Sequence, residues 1–185
     1  MVDNVLNSIK NAPVIAAIND KLFEKALQSP AKVIFIFSAN VLTIKERIEK
    51  AHSVNKFLFV HIDLAEGIGK DKSGIEFLAK CGVDGIISTK SALIRAAKDC
   101  GLITIQRFFA YDSKGVNNIS EVLNNSAPDL VEILPGVIAK IIKRFSTAKV
   151  PLIVGGLVDD KKEVLDALDL GAVAISTGKE DLWYI

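Results

Sequence analysis

Eight short apolar runs recur along the chain, each followed by a polar break and then by a stretch with helical spacing. The runs are Val14–Ile18, Val33–Phe37, Phe57–Ile62, Gly85–Ile87, Ile103–Phe108, Leu130–Leu134, Leu152–Val154 and Ala172–Ile175. They are nearly continuous rather than alternating, which is the pattern of parallel strands covered on both faces. Between them, apolar residues fall three and four apart. Leu42, Ile44, Ile48 and Ala51 make one face of a helix, and Lys45, Glu46, Arg47 and Glu49 point outward. Gly82, Gly101 and Gly171 stand where helices stop, as a left-handed C-terminal cap requires. The last helical segment is only the stub Glu180–Ile185.

Eight βα units in one chain of 185 residues predict a single domain, 1–185, with the α/β architecture of a compact TIM-type (βα)8 barrel, irregular where the chain is short. Such barrels usually start at ~200 residues, so an open doubly wound parallel sheet is the alternative. A weak internal echo favours the barrel. Phe77–Thr89 and Ala167–Thr177 each read as helix end, glycine, apolar run and a Ser-Thr pair. Either a half-barrel repeat or the general likeness of βα units produces it.

Composition removes several classes. Half the residues are hydrophobic and mean hydropathy is +0.34, so this is no disordered tail. The 23 basic and 22 acidic side chains leave a formal charge of +1. That balance argues against bulk attraction to nucleic acid or anionic membrane, while leaving room for a local basic face. No run approaches a membrane span of ~20 residues. Met1 to Asn11 mixes Asp3, Asn4, Asn7 and Lys10 into its apolar residues, unlike a signal peptide. Cys81 and Cys100 match no metal spacing and make a poor disulfide framework. The expectation is a cytoplasmic protein with reduced thiols and no metal.

The candidate chemistry lies at strand ends. Gly155-Gly156 ends the seventh run, and Ser176-Thr177 ends the eighth. In a barrel these loops are neighbours at one rim, where glycines admit an anion to backbone N–H groups and hydroxyls add donors. A phosphate monoester fits that arrangement; a tight turn and an N-cap are the plainer reading. His61 and Asp63 share a strand face by period two, and Glu132 is a carboxylate inside an apolar run, costly unless partnered. These three could bind a polyol, ligate a metal, do acid–base work or simply pair internally. Lys90 and Arg107 are candidate phosphate partners, although Arg107 has the parity opposite to Thr104 and Gln106. A Schiff-base role for Lys90 would need burial and a lowered pKa. The loop Ala110–Val116 could close over a ligand or be an ordinary exposed loop. Basic residues cluster at Lys45, Arg47, Lys50 and Lys56, and at Lys140, Lys143, Arg144 and Lys149. Each reads as a solvated helix face; neither has the interleaved aromatics of a stacking platform, and no standard RNA-binding module appears.

An ordered set of motifs resembles the glycerol-3-phosphate-responsive antiterminators, regulators of glycerol uptake operons. It comprises Pro13-Val14-Ile15-Ala16-Ala17, His61-Ile62-Asp63-Leu64 with Gly67, and Asp84-Gly85-Ile86-Ile87-Ser88-Thr89-Lys90. Ile105-Gln106-Arg107-Phe108, Asp112-Ser113, Glu132-Ile133-Leu134-Pro135-Gly136 and Gly155-Gly156-Leu157 continue it. Gly171-Ala172, Ser176-Thr177 and Leu182-Trp183 complete it; Gly178 departs from it, where the family more often carries a serine. The resemblance implies a non-catalytic βα-barrel with no cofactor beyond its effector, glycerol 3-phosphate. Its liganded form acts on the leader of a messenger RNA, preventing termination and stabilising the transcript. Gly155, Gly156, Ser176, Thr177, Lys90 and Arg107 are then the expected phosphate partners, and His61, Asp63 and Glu132 the glycerol partners. Two further readings stay open: an enzyme acting on a triose or sugar phosphate with Asp63 or Glu132 as base, and an inert ligand-binding subunit working through a protein. The sequence leaves room for a homo-oligomer.

Overall fold

In a computed structural model that describes residues 2–185, eight parallel strands close into a barrel in the order of the sequence. They are β1 Val14–Ile18, β2 Val33–Ile36, β3 Phe57–His61, β4 Gly85–Ser88, β5 Ile103–Phe109, β6 Leu130–Leu134, β7 Leu152–Gly155 and β8 Ala174–Thr177. The helices are α1 Val2–Asn11, α2 Phe23–Gln28, α3 Ile44–Ser53, α4 Lys72–Cys81, α5 Ser91–Asp99, α6 Ser113–Ser126, α7 Ala139–Ser146 and α8 Lys161–Asp169. β8 pairs with β1, Ile15 opposite Ser176, which excludes the open sheet. Closure within 185 residues is achieved by economy. α2 has six residues, and the helix expected after β8 is a 3-10 turn, Glu180–Tyr184. Trp183 is buried in that turn, and its indole N–H donates to the Thr177 carbonyl at 2.8 Å, fastening the chain end to the wall.

Alternate strand residues divide into two cores. Ile15, Phe35, Phe59, Ile87, Ile105, Leu130, Ile153 and Ala174 fill the barrel interior. Ala16, Ile34, Val60, Ile86, Val131, Val154 and Ile175 face the surrounding helices. The interior is plugged at the N-terminal end by α1, whose Val5 and Ile9 pack among Val33, Phe35 and Ile153. Register is pinned by a device used twice. Asp84 ahead of β4 accepts the Leu58 N–H at 2.7 Å, and Asp129 ahead of β6 accepts the Thr104 N–H at 2.8 Å.

The half-barrel echo does not survive this division. Ser176 follows the inward parity of Ala174, whereas Ser88 follows the outward parity of Ile86. The two Ser-Thr pairs are one residue out of phase, so the likeness is that of any two βα units.

Candidate functional site: a polar mouth at the C-terminal ends of the strands

Among the described residues, α1 plugs one end of the barrel, and access to the interior along its axis is from the other. A pocket of about 330 Å³ opens there, lined among others by Phe37, Arg107, Glu132, Gly156, Ser176 and Lys179. Its floor holds two charges that the apolar layer beneath cannot solvate. Arg107 and Glu132 sit opposite one another on β5 and β6. The Arg107 Nε donates to Glu132 Oε2 at 2.5 Å, and Ser176 Oγ donates to Glu132 Oε1 at 2.5 Å. Glu132 is wholly buried, so both of its oxygens need these donors. The guanidinium of Arg107 lies 4.9 Å above the Phe37 ring centroid, and Phe37 meets His61 edge-on at 5.8 Å. Among the described residues the two terminal nitrogens of Arg107 have no protein partner, so its outer fork is left for whatever enters the pocket.

The walls explain the glycines. Gly155 is paired directly with Ser176. A Cβ on Gly155 would collide with Ser176 Oγ and approach Glu132 Oε1. Gly156 and Leu157 both have positive φ, 74° and 59°, so the chain makes a sharp turn immediately above the ion pair. A side chain at 156 would be strained and would press on Leu134. The α8 N-terminus behind this turn is already capped, Asp160 accepting the Glu163 N–H at 2.9 Å. Lys179 closes the rim, its Nζ 2.9 Å from Asp159 Oδ1.

Of the residues singled out by sequence, the structure brings Arg107, Glu132, Gly156, Ser176 and Thr177 into the pocket lining, with Gly155 immediately behind. Arg107 shares the inward parity of Ile105; Thr104 and Gln106 are the ones that face the helices, Gln106 reaching the Thr89 carbonyl. His61 is inward and buried beside Phe37 but outside the lining. Burial and then the positive field of Arg107 lower its pKa, leaving a neutral imidazole whose Nδ1 has no partner. Two expectations need correction. Asp63 does not share the face of His61, because β3 ends at His61 and a 3-10 turn, Ile62–Leu64, redirects the chain. The Asp63 carboxylate instead holds the turn after β4, accepting from Ser88 Oγ at 2.8 Å and from the Thr89 N–H and hydroxyl. Partial burial would raise its pKa, but those donors prevail and hold it below the usual carboxylate range. Lys90 is exposed at the start of α5 and lies outside the lining. Lys179 was missed, although it stands directly after the Ser176-Thr177-Gly178 motif. Among the described residues no three His, Cys, Asp or Glu side chains gather as a metal site. No helix among them is long and apolar enough to cross a membrane.

Comparison with known proteins bears on this geometry. Residues 14–183 match the family model of the glycerol-3-phosphate responsive antiterminators. The chain is 37% identical to the YgcP protein of Escherichia coli (strain K12), covering 97% of this chain and 95% of that one. The crystal structure of a glycerol uptake operon antiterminator regulatory protein from Listeria monocytogenes superimposes with a TM-score of 0.88 at 31% identity, over 94% of this chain and 95% of that one. An antiterminator-related protein of Thermotoga maritima gives 0.82 at 31% identity, over 92% and 96%. An aldolase and an N-acetylmannosamine-6-phosphate 2-epimerase from Clostridium perfringens share the fold alone, at 9% and 16% identity. A closed barrel whose mouth is lined by Arg107, Ser176 and Gly156, and a match running almost from end to end, make this chain a member of the glycerol-3-phosphate responsive antiterminator family.

Proposed function

We propose that the pocket binds glycerol 3-phosphate and that the liganded protein acts on the leader of a glycerol-operon messenger RNA. The observation that carries the reading is Arg107: a nearly buried guanidinium, fixed through Nε by Glu132, with its remaining nitrogens facing a cavity large enough for a small phosphate ester. Pre-positioned in this way, it meets phosphate oxygens as a fork at little entropic cost. The turn at Gly156 and Leu157 and the Thr177–Gly178 segment supply backbone donors, and the Lys179–Asp159 pair stands at the rim. The glycerol end then lies against Phe37 and Leu134. A regulatory role is supported by the carboxylates. Glu132 is held by Arg107 and Ser176, and Asp63 by three donors, so neither is free to take a proton from a substrate.

Retention of the leader transcript on immobilised protein tests the reading. It rises with glycerol 3-phosphate and falls with salt, with a log–log slope of about −2 to −4 at roughly 0.9 per phosphate contact. Retention indifferent to glycerol 3-phosphate, or turnover of a triose or sugar phosphate by the same preparation, contradicts it.

A further inference from the structure

The two basic clusters of the sequence differ once folded. On α3, Arg47 pairs with Asp20 and Glu24, and Lys50 with Glu24 and Glu46. Lys56 is buried, its ammonium spent on the Ser29 and Ala31 carbonyls. Three of that cluster's four cations are occupied in this way, and only Lys45 is left exposed without an ion pair among the described residues. On α7, Lys140, Lys143 and Arg144 are exposed, and among the described residues none of them makes an ion pair. The acidic Glu163 and Asp166 of α8 line a different cleft, with Ala139 and Ile142 on the other flank of α7.

Beside these free cations the fold places aromatic surface that the α7 sequence itself lacks. Tyr111 is 82% exposed and stacks parallel on the half-exposed Phe109, at 5.3 Å and 4°. Tyr111, Lys140 and Arg144 line one groove of about 580 Å³ between the β5–α6 loop and α7. The one carboxylate in that groove, Asp112, is occupied as the α6 N-cap, accepting the Gly115 N–H at 2.7 Å. A flat exposed ring next to unpaired cations fits a base and its flanking phosphates; an acidic peptide would use the cations and leave the ring in water. The aromatic pair is tied to the ligand pocket through β5. Phe109 lies two residues beyond Arg107 on β5 and is paired with Leu134, which lines that pocket.

We infer that this groove is a single-stranded RNA site, a base stacking on Tyr111 and phosphates meeting Lys140 and Arg144. The inference rests on the RNA reading given above, which did not locate the contact. The probe is a fluorescein-labelled leader transcript of a glycerol uptake operon, titrated by anisotropy at saturating glycerol 3-phosphate. Tyr111→Ala weakens binding at least about fivefold, as loss of one stacked base does, and Tyr111→Phe stays within about twofold of wild type. The pair Lys140→Ala/Arg144→Ala makes the salt slope shallower by about 2. The pair Lys72→Ala/Lys80→Ala, an equal charge change on α4, leaves affinity within about twofold. All variants bind glycerol 3-phosphate like the wild type, which certifies their fold. Groove variants that bind RNA normally overturn the inference and leave the RNA function standing. An equal loss from the α4 pair overturns it in favour of bulk charge. A wild-type protein that binds glycerol 3-phosphate but no RNA overturns both, and assigns the groove to a protein partner.

Discussion

The two ends of the barrel solve opposite problems with the same eight strands. At the N-terminal end every inward side chain is apolar, and α1 lies across the opening with Val5 and Ile9 buried in it. At the C-terminal end the inward positions of β5, β6 and β8 carry Arg107, Glu132 and Ser176, and the opening is left uncovered. The sealed end gains stability from removing apolar surface from water. The open end spends some of that on burying a charge pair that a hydrophobic pair of similar size would match or better. The contrast locates function: residues are costly where they are kept for something other than folding.

The largest effect comes from breaking the charge pair. Arg107→Met leaves Glu132 buried without its cation and costs about 3–5 kcal/mol in chemical denaturation, together with loss of ligand binding. Adding Glu132→Gln removes the stranded charge and keeps an acceptor for Ser176, so stability returns and binding does not. At the sealed end, Ile9→Ala costs about 2–5 kcal/mol and leaves ligand affinity unchanged, because the cavity it makes is a barrel's depth from the mouth. A third test concerns Lys56, whose pKa burial and then neighbouring Lys32 push down to about 8. The unfolded chain holds the proton up to 10.5, so stability rises by up to about 3 kcal/mol as pH climbs between these values. Lys56→Met flattens that rise. The smallest effect is at Asp63. Asp63→Asn costs about 1 kcal/mol above pH 4 and nothing below its depressed folded pKa, where the wild-type carboxylate has lost its charge. Ligand affinity changes less than about twofold, since the side chain holds a turn outside the pocket.

The strands were legible because fully buried parallel strands leave continuous apolar runs, and their ends were placed within two residues. What continuity hides is the face. Both sides of β5 are buried, so nothing local tells whether Arg107 or Gln106 points inward; closure of the barrel decides it. Asp63 was misplaced because period two holds only while the strand lasts, and β3 stops at His61. α1 is also written in the sequence, since Val2, Val5, Leu6 and Ile9 fall at helical spacing with polar residues between them. The hydrogen bond of Ser176 to Glu132 joins β8 to β6 past Gly155 of β7, and one groove brings Tyr111 of the β5–α6 loop and Arg144 of α7 together. Neither contact has any signature in local sequence.

Arg107 is proposed to anchor the phosphate of glycerol 3-phosphate at the open end. Calorimetric titration of glycerol 3-phosphate, inorganic phosphate and glycerol into wild type and into Arg107→Met/Glu132→Gln tests it directly, with a thermal melt of each in parallel. The wild type binds glycerol 3-phosphate best, phosphate more weakly and glycerol hardly at all. At a hundredfold excess over Kd the ester stabilises it by ~2.7 kcal/mol, a melting shift of ~5–11 °C. The double variant melts cooperatively, close to the unliganded wild type, and takes up neither phosphate compound. A folded double variant that binds glycerol 3-phosphate with wild-type affinity, or a wild type that binds none, contradicts the account.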